Sequence, residues 1–177
     1  PRFLADPGRR ELIMKSVVFD KIASVEQHNH LSSELRLSKD IPCEEGVNIA
    51  ARVLNNKSRY NQLELTSGRM ATVNQGDVIV GALGHRKALR GYSGHLPASL
   101  KPGDTIQILN IGGVLGICDS ANPDVGAPFN CEVLGTVLSF PYLGERIGVP
   151  ARAGLEVLDP EAGIDTNGIP VIAMAGT

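Results

Sequence analysis

Asn74-Gln75-Gly76-Asp77-Val78-Ile79-Val80 and Lys101-Pro102-Gly103-Asp104-Thr105-Ile106-Gln107-Ile108 share one grammar. In each, a turn ends in Gly-Asp and opens a run rich in β-branched residues; Gly76 and Gly103 stand 27 positions apart. Glycine adopts positive φ without a Cβ penalty, and aspartate closes such a turn by accepting from nearby backbone N–H groups. Behind the second turn, Ile106 and Ile108 alternate with Thr105 and Gln107, the two-residue period of a half-buried strand.

Working outward, the same texture recurs. Leu63-Glu64-Leu65 alternates and is followed by Ser67-Gly68. Met70-Ala71-Thr72-Val73 leads into the first Gly-Asp turn, and residues 114–118 and 131–138 are further strand candidates. Residues 31–37 place Leu35 and Leu37 on one face of a half-buried strand. Turn signals every 8–12 residues, roughly, separate these runs, which predicts a mainly β fold: a small barrel or sandwich-like barrel of about six to nine strands. One or two short helices are expected beside it, with an α+β arrangement as the alternative. One falls near residues 9–15, ahead of a strand at Ser16-Val17-Val18-Phe19. The other covers residues 47–54, where apolar side chains at 47, 49, 50, 53 and 54 approach helical spacing. Glu44 and Glu45 would favour that helix's N-terminus through its dipole.

Composition agrees. Of 177 residues, 42% are hydrophobic and 20% charged, so neither a disordered chain nor a coiled coil is expected. Seventeen basic against 19 acidic side chains lack the basic excess of a dedicated nucleic-acid binder. No apolar run reaches the roughly 18–20 residues of a membrane-spanning helix. Twenty glycines with 11 prolines suit many turns; seven aromatics without tryptophan leave a core of Val, Ile and Leu. Cys43, Cys118 and Cys131 are odd in number and form no C-x-x-C pair, so free, mostly buried thiols and a cytoplasmic location are expected.

Functional groups are densest at residues 81–97. His85, Arg86, Lys87, Arg90, Tyr92, Ser93 and His95 stand there among four glycines, between the two Gly-Asp strands. Glycines let backbone approach an anion, and arginine forks match phosphate or carboxylate oxygens. The expected site is therefore His85, Arg86, Lys87, Arg90, Ser93 and His95, with Asp119 from the neighbouring Gly-rich stretch, meeting a small anionic ligand. A solvated hairpin tip is the competing reading. Gly91-Tyr92-Ser93-Gly94-His95 ends in His where a serine-hydrolase elbow needs Gly. Ile111-Gly112-Gly113 lacks the first glycine of a dinucleotide fingerprint and reads as a tight turn between strands. His28-Asn29-His30 has no third ligand at a useful spacing, so exposed loop histidines and no metal are expected. Cys118 with His85 or His95 as base would be a nucleophile, but no cation stands beside it in the sequence to favour the thiolate.

Residues 159–168 form a polar, turn-rich linker after a last strand candidate at 154–158, giving a β-rich domain over 1–160 and a linker plus a new strand over 161–177. That strand, Pro170-Val171-Ile172-Ala173-Met174-Ala175-Gly176-Thr177, resembles the buried strand and opening residues of a P-loop, although no Lys-Ser/Thr follows here. The resemblance, about nine residues long, implies an accessory domain of a P-loop nucleotide-binding protein, with no cofactor in this segment and a nucleotide in the intact molecule. The function expected is a non-catalytic ligand-sensing or interaction domain. Its alternatives are a small enzyme with its site between residues 81–95 and 110–126, and a self-association module forming a homo-oligomer.

Overall fold

The computed structural model describes residues 15–88, 90–140, 148–154 and 167–172. Twelve strands appear among them. The first four are β1 (Lys15–Val18), β2 (Lys21–Ile22), β3 (Glu34–Ser38) and β4 (Asn48–Val53). Next come β5 (Gln62–Glu64), β6 (Met70–Thr72), β7 (Val78–Leu83) and β8 (Tyr92–His95). The last are β9 (Thr105–Ile108), β10 (Val114–Ala121), β11 (Asn130–Ser139) and β12 (Val149–Pro150). Helical structure is limited, among the described residues, to two 3-10 turns, Ser24–Asn29 and Pro123–Val125. None of these helices is long and apolar enough to cross a membrane.

Ten strands join one sheet whose main path is β1-β3-β11-β4-β7-β10-β8, and β5 and β6 form a separate hairpin. β9 pairs antiparallel with both β10 and β11, so the pairing returns on itself around β11, β4, β7, β10 and β9. β1, β3 and β8 run on beyond that circuit. The class expected from sequence, mainly β, is what forms; it is built as one large curled sheet rather than a free-standing closed barrel.

Both Gly-Asp turns form as read. Asp77 Oδ2 accepts from the Asn74 amide at 2.7 Å, and Asp104 Oδ2 accepts from the Lys101 amide at 2.9 Å. Gly76 and Gly103 take φ of +95° and +93°, the left-handed region in which glycine is favoured. The turns then deliver β7 and β9.

Residues 47–54 are not a helix. Residues 48–53 are β4, hydrogen-bonded between β11 and β7. Both of its faces are covered: Ile49, Ala51 and Val53 enter one core cluster with Ile79, Leu83, Ile106 and Leu115, while Ala50 enters a second with Phe19, Leu37, Val80 and Val137. A strand buried on both faces loses its two-residue alternation, and its apolar run then mimics helical spacing. Residues 9–14, where the other helix is expected, lie outside the described residues, as do 155–158 and 159–166. Residues 16–18 and 34–38 are strands as expected. On β11 a bulge at residues 133–135 shifts the register, so Cys131 and Val133 join the first cluster but Val137 the second. Cys131 is buried, whereas Cys43 and Cys118 are half-buried; all three are free.

Candidate functional site

The chain leaves β7 at Leu83 and returns as β8, which lies antiparallel against β10. Between them Arg86 and Gly94 form a bridge, exchanging backbone hydrogen bonds of 2.9 Å in both directions. That register sets His85 opposite His95. Strand alternation then sorts the side chains: Arg86 and Tyr92 turn toward the body of the domain, and His85, Lys87 and His95 away from it.

The inward set is committed to the fold. The Arg86 guanidinium donates to the Leu109 carbonyl and reaches the Tyr60 hydroxyl at 3.5 Å. Tyr92 is 1% exposed; its hydroxyl donates toward the Val125 and Ala127 carbonyls at 3.2 and 3.3 Å. The Lys57 ammonium donates to the Tyr92 hydroxyl and to the same two carbonyls, and it lies 4.9 Å from the Tyr92 ring centroid. Burial pushes the Tyr92 phenol up to about 12, and burial lowers the Lys57 ammonium. The Tyr60 and Tyr92 rings meet edge-on, with centroids 5.6 Å apart. Ser93 ties the loop from within, its hydroxyl bonded to the Ala88 amide at 3.2 Å and to the Ala88 carbonyl at 3.3 Å.

The outward set is exposed. Asp119 stands at the β10 bulge between Cys118 and Ser120, and its Oδ1 lies 2.7 Å from Nδ1 of His95. Both side chains are about half exposed, at 50% and 52%. His85 Nδ1 accepts from the Leu96 amide at 3.3 Å. Lys87 and Arg90 are exposed and make no ion pair among the described residues. The structure therefore gathers His85, Lys87, His95 and Asp119 on one exposed surface, with Arg90 exposed in the same loop. It separates Arg86 from that surface as an internal strut, while Ser93, on the His95 side of β8, is spent on the Ala88 backbone.

A carboxylate orienting an imidazole is also the start of a general-base arrangement. Its other parts do not assemble here. Three clefts of about 420, 430 and 210 Å³ indent the surface, and none of the three is lined by residues 85–95 or Asp119. The Cys118 thiol donates to the Ser120 carbonyl at 3.4 Å, and burial followed by the Asp119 carboxylate raises its pKa, against thiolate formation. No group of three or more His, Cys, Asp or Glu residues suited to a metal occurs among the described residues, and His28 and His30 are exposed.

Sequence reasoning missed Lys57 and Tyr60. Their partners lie 26 to 70 positions away, so no local pattern marks them. The fold and this surface define a β-rich domain with a braced, cation-bearing loop. A scan of protein-family models and searches of curated proteins and solved structures find no match to the chain.

Proposed function

We propose that this is a non-catalytic ligand-binding domain of a larger cytoplasmic protein, with the outer face of residues 84–95 as the contact surface for a small anionic ligand. The observation that carries the reading is the division of labour among the cations. Arg86 and Lys57 are spent on carbonyls within the fold, while Lys87 and Arg90 are exposed on a braced loop that also carries His85 and leads to His95. A loop held in place without its outer cations loses little entropy when an anion engages them.

Calorimetric titration of the 177-residue chain with pyrophosphate and with citrate tests this. Saturable binding is expected, weakened about tenfold or more by Lys87→Ala and by Arg90→Ala, as for loss of a charge-assisted hydrogen bond. Absence of binding by both anions at millimolar concentration, or equal affinity in both variants, overturns it.

The larger protein is proposed to be of the P-loop nucleotide-binding type. Ile169, Val171 and Ile172 are 67%, 71% and 86% exposed, and apolar strand formers left in water suit a strand whose sheet is supplied by further chain. A Gly-Lys-Ser/Thr encoded within about ten codons of Thr177 supports this, and a stop codon there removes it.

A further inference from the structure

The 420 Å³ cleft lies far in character from the cationic loop. Its walls are the 3-10 turn Ser24–Asn29, the turn of the β5–β6 hairpin, and the turn joining β9 to β10. We propose that this cleft is a second binding site, for an uncharged, hydroxyl-rich ligand of monosaccharide size.

The cleft is pre-formed. Its three walls come from distant parts of the chain and are stitched together by short hydrogen bonds. The Val25 amide donates to the Gly112 carbonyl at 3.0 Å, and the Glu64 amide to the Ile111 carbonyl at 2.7 Å. Ser24 Oγ donates to Glu64 Oε2 at 2.7 Å. Beneath the first wall Glu26, fully buried, accepts from the side-chain amide of Asn29 at 2.6 Å and from that of Asn48 on β4. A site that exists before its ligand arrives avoids the cost of ordering its walls.

The lining selects the ligand's charge. Its one ionisable side chain is Glu64, with no Lys, Arg or His among the lining residues. An anion placed here would face a carboxylate with no cation to offset it.

The hydrogen-bonding groups select its chemistry. Glu64 gives Oε2 to Ser24, leaving Oε1 to accept. Asn110 gives Oδ1 to the Val114 amide at 2.9 Å, leaving its NH₂ to donate. The Thr66 and Ser67 hydroxyls do either. A ligand hydroxyl donates and accepts through one atom, so adjacent hydroxyls satisfy Glu64 and Asn110 together. An ammonium group only donates, and would leave the Asn110 amide without an acceptor. Val25, Leu65 and Val114 supply apolar surface for the C–H face of a sugar ring, and the volume falls within the range of small-molecule pockets.

Saturation-transfer NMR on the 177-residue chain tests the proposal, with glucose, galactose, N-acetylglucosamine and myo-inositol as neutral probes and putrescine as the cationic one. At least one neutral probe is expected to bind saturably, without displacement by pyrophosphate. Its affinity should fall at least tenfold in Glu64→Ala. Because that change also removes the partner of Ser24, the exposed rim variant Ser67→Trp, which fills the cleft mouth, should abolish binding independently. The proposal is overturned by no binding of any neutral probe, by binding of putrescine alone, by displacement with pyrophosphate, or by unchanged affinity in Ser67→Trp. Anion binding at residues 84–95 is read separately by calorimetry, so either site can fail without the other.

Discussion

The two faces of residues 84–95 use the same residue types to opposite ends. On the inner face, Arg86 is tied to the Leu109 carbonyl and Tyr92 lies under Lys57 with its hydroxyl on two carbonyls. On the outer face, His85, Lys87 and His95 stand in water, with Arg90 exposed in the same loop and Asp119 as the only carboxylate bonded to them among the described residues. A cation's chemistry does not decide whether it is structural; the orphan carbonyls within its reach do. The carbonyl of fully buried Leu109 needs a donor, since desolvating an acceptor without one costs about 1–3 kcal/mol, and the carbonyls of half-buried Val125 and exposed Ala127 converge on Lys57 and Tyr92. Inner cations meet that need, and outer ones remain available to a ligand.

Substitutions that separate the faces follow in order of size. Tyr92→Ala removes a fully buried ring and should cost about 3–5 kcal/mol in urea unfolding. A cost below about 1 kcal/mol would mean that the inner face does not brace the loop.

Glu26 gives the next effect, the inner-face logic carried to a carboxylate. Glu26 Oε1 and Asn48 Oδ1 are buried acceptors with no donor among the described residues, and a proton on Glu26 would supply one. Burial moves its pKa from 4.5 to about 7, opposed in part by the Asn29 and Asn48 amides. The folded state thus holds the proton more tightly than the unfolded chain. Its stabilising contribution is complete below about pH 4.5, declines as pH rises toward 7, and is level above that. The stability difference between wild type and Glu26→Gln should therefore shift by up to about 1.4 kcal/mol per pH unit across that window, the wild type weakening as pH rises. A pH-independent difference would show that burial does not raise the Glu26 pKa above that of the unfolded chain.

Arg86→Ala should cost about 1–3 kcal/mol by leaving the Leu109 carbonyl unpaired. Arg90→Ala and Lys87→Ala should each change stability by less than about 0.5 kcal/mol, as exposed substitutions do. Equal thermal shifts for Arg86→Ala and Arg90→Ala would erase the distinction between the faces.

Much of the sheet was legible because its punctuation is local. The turns at Gly76-Asp77 and Gly103-Asp104 carry their own hydrogen-bond acceptors, so β7 and β9 could be read from a few residues each. Leu35 and Leu37 likewise marked β3. β4 could not be read in this way: Ile49, Ala50, Ala51 and Val53 are apolar for two different neighbours, one on each face of the sheet, and neither neighbour is local. The site divides similarly. Glycines and cations at 84–95 located the loop, but the sequence could not separate Arg86 from Arg90, because the difference is a carbonyl 23 residues away. The cleft between Ser24, Glu64 and Asn110 had no sequence signal, since its walls meet only in three dimensions.

The most direct test of the division between the faces is an amide chemical-shift map of the 177-residue chain titrated with pyrophosphate. Perturbations that saturate and concentrate at residues 85–95 and Asp119, with the amides around Ser24, Glu64 and Asn110 unmoved, are the result expected. Shifts that centre elsewhere, or drift linearly over the whole surface without saturating, would contradict it.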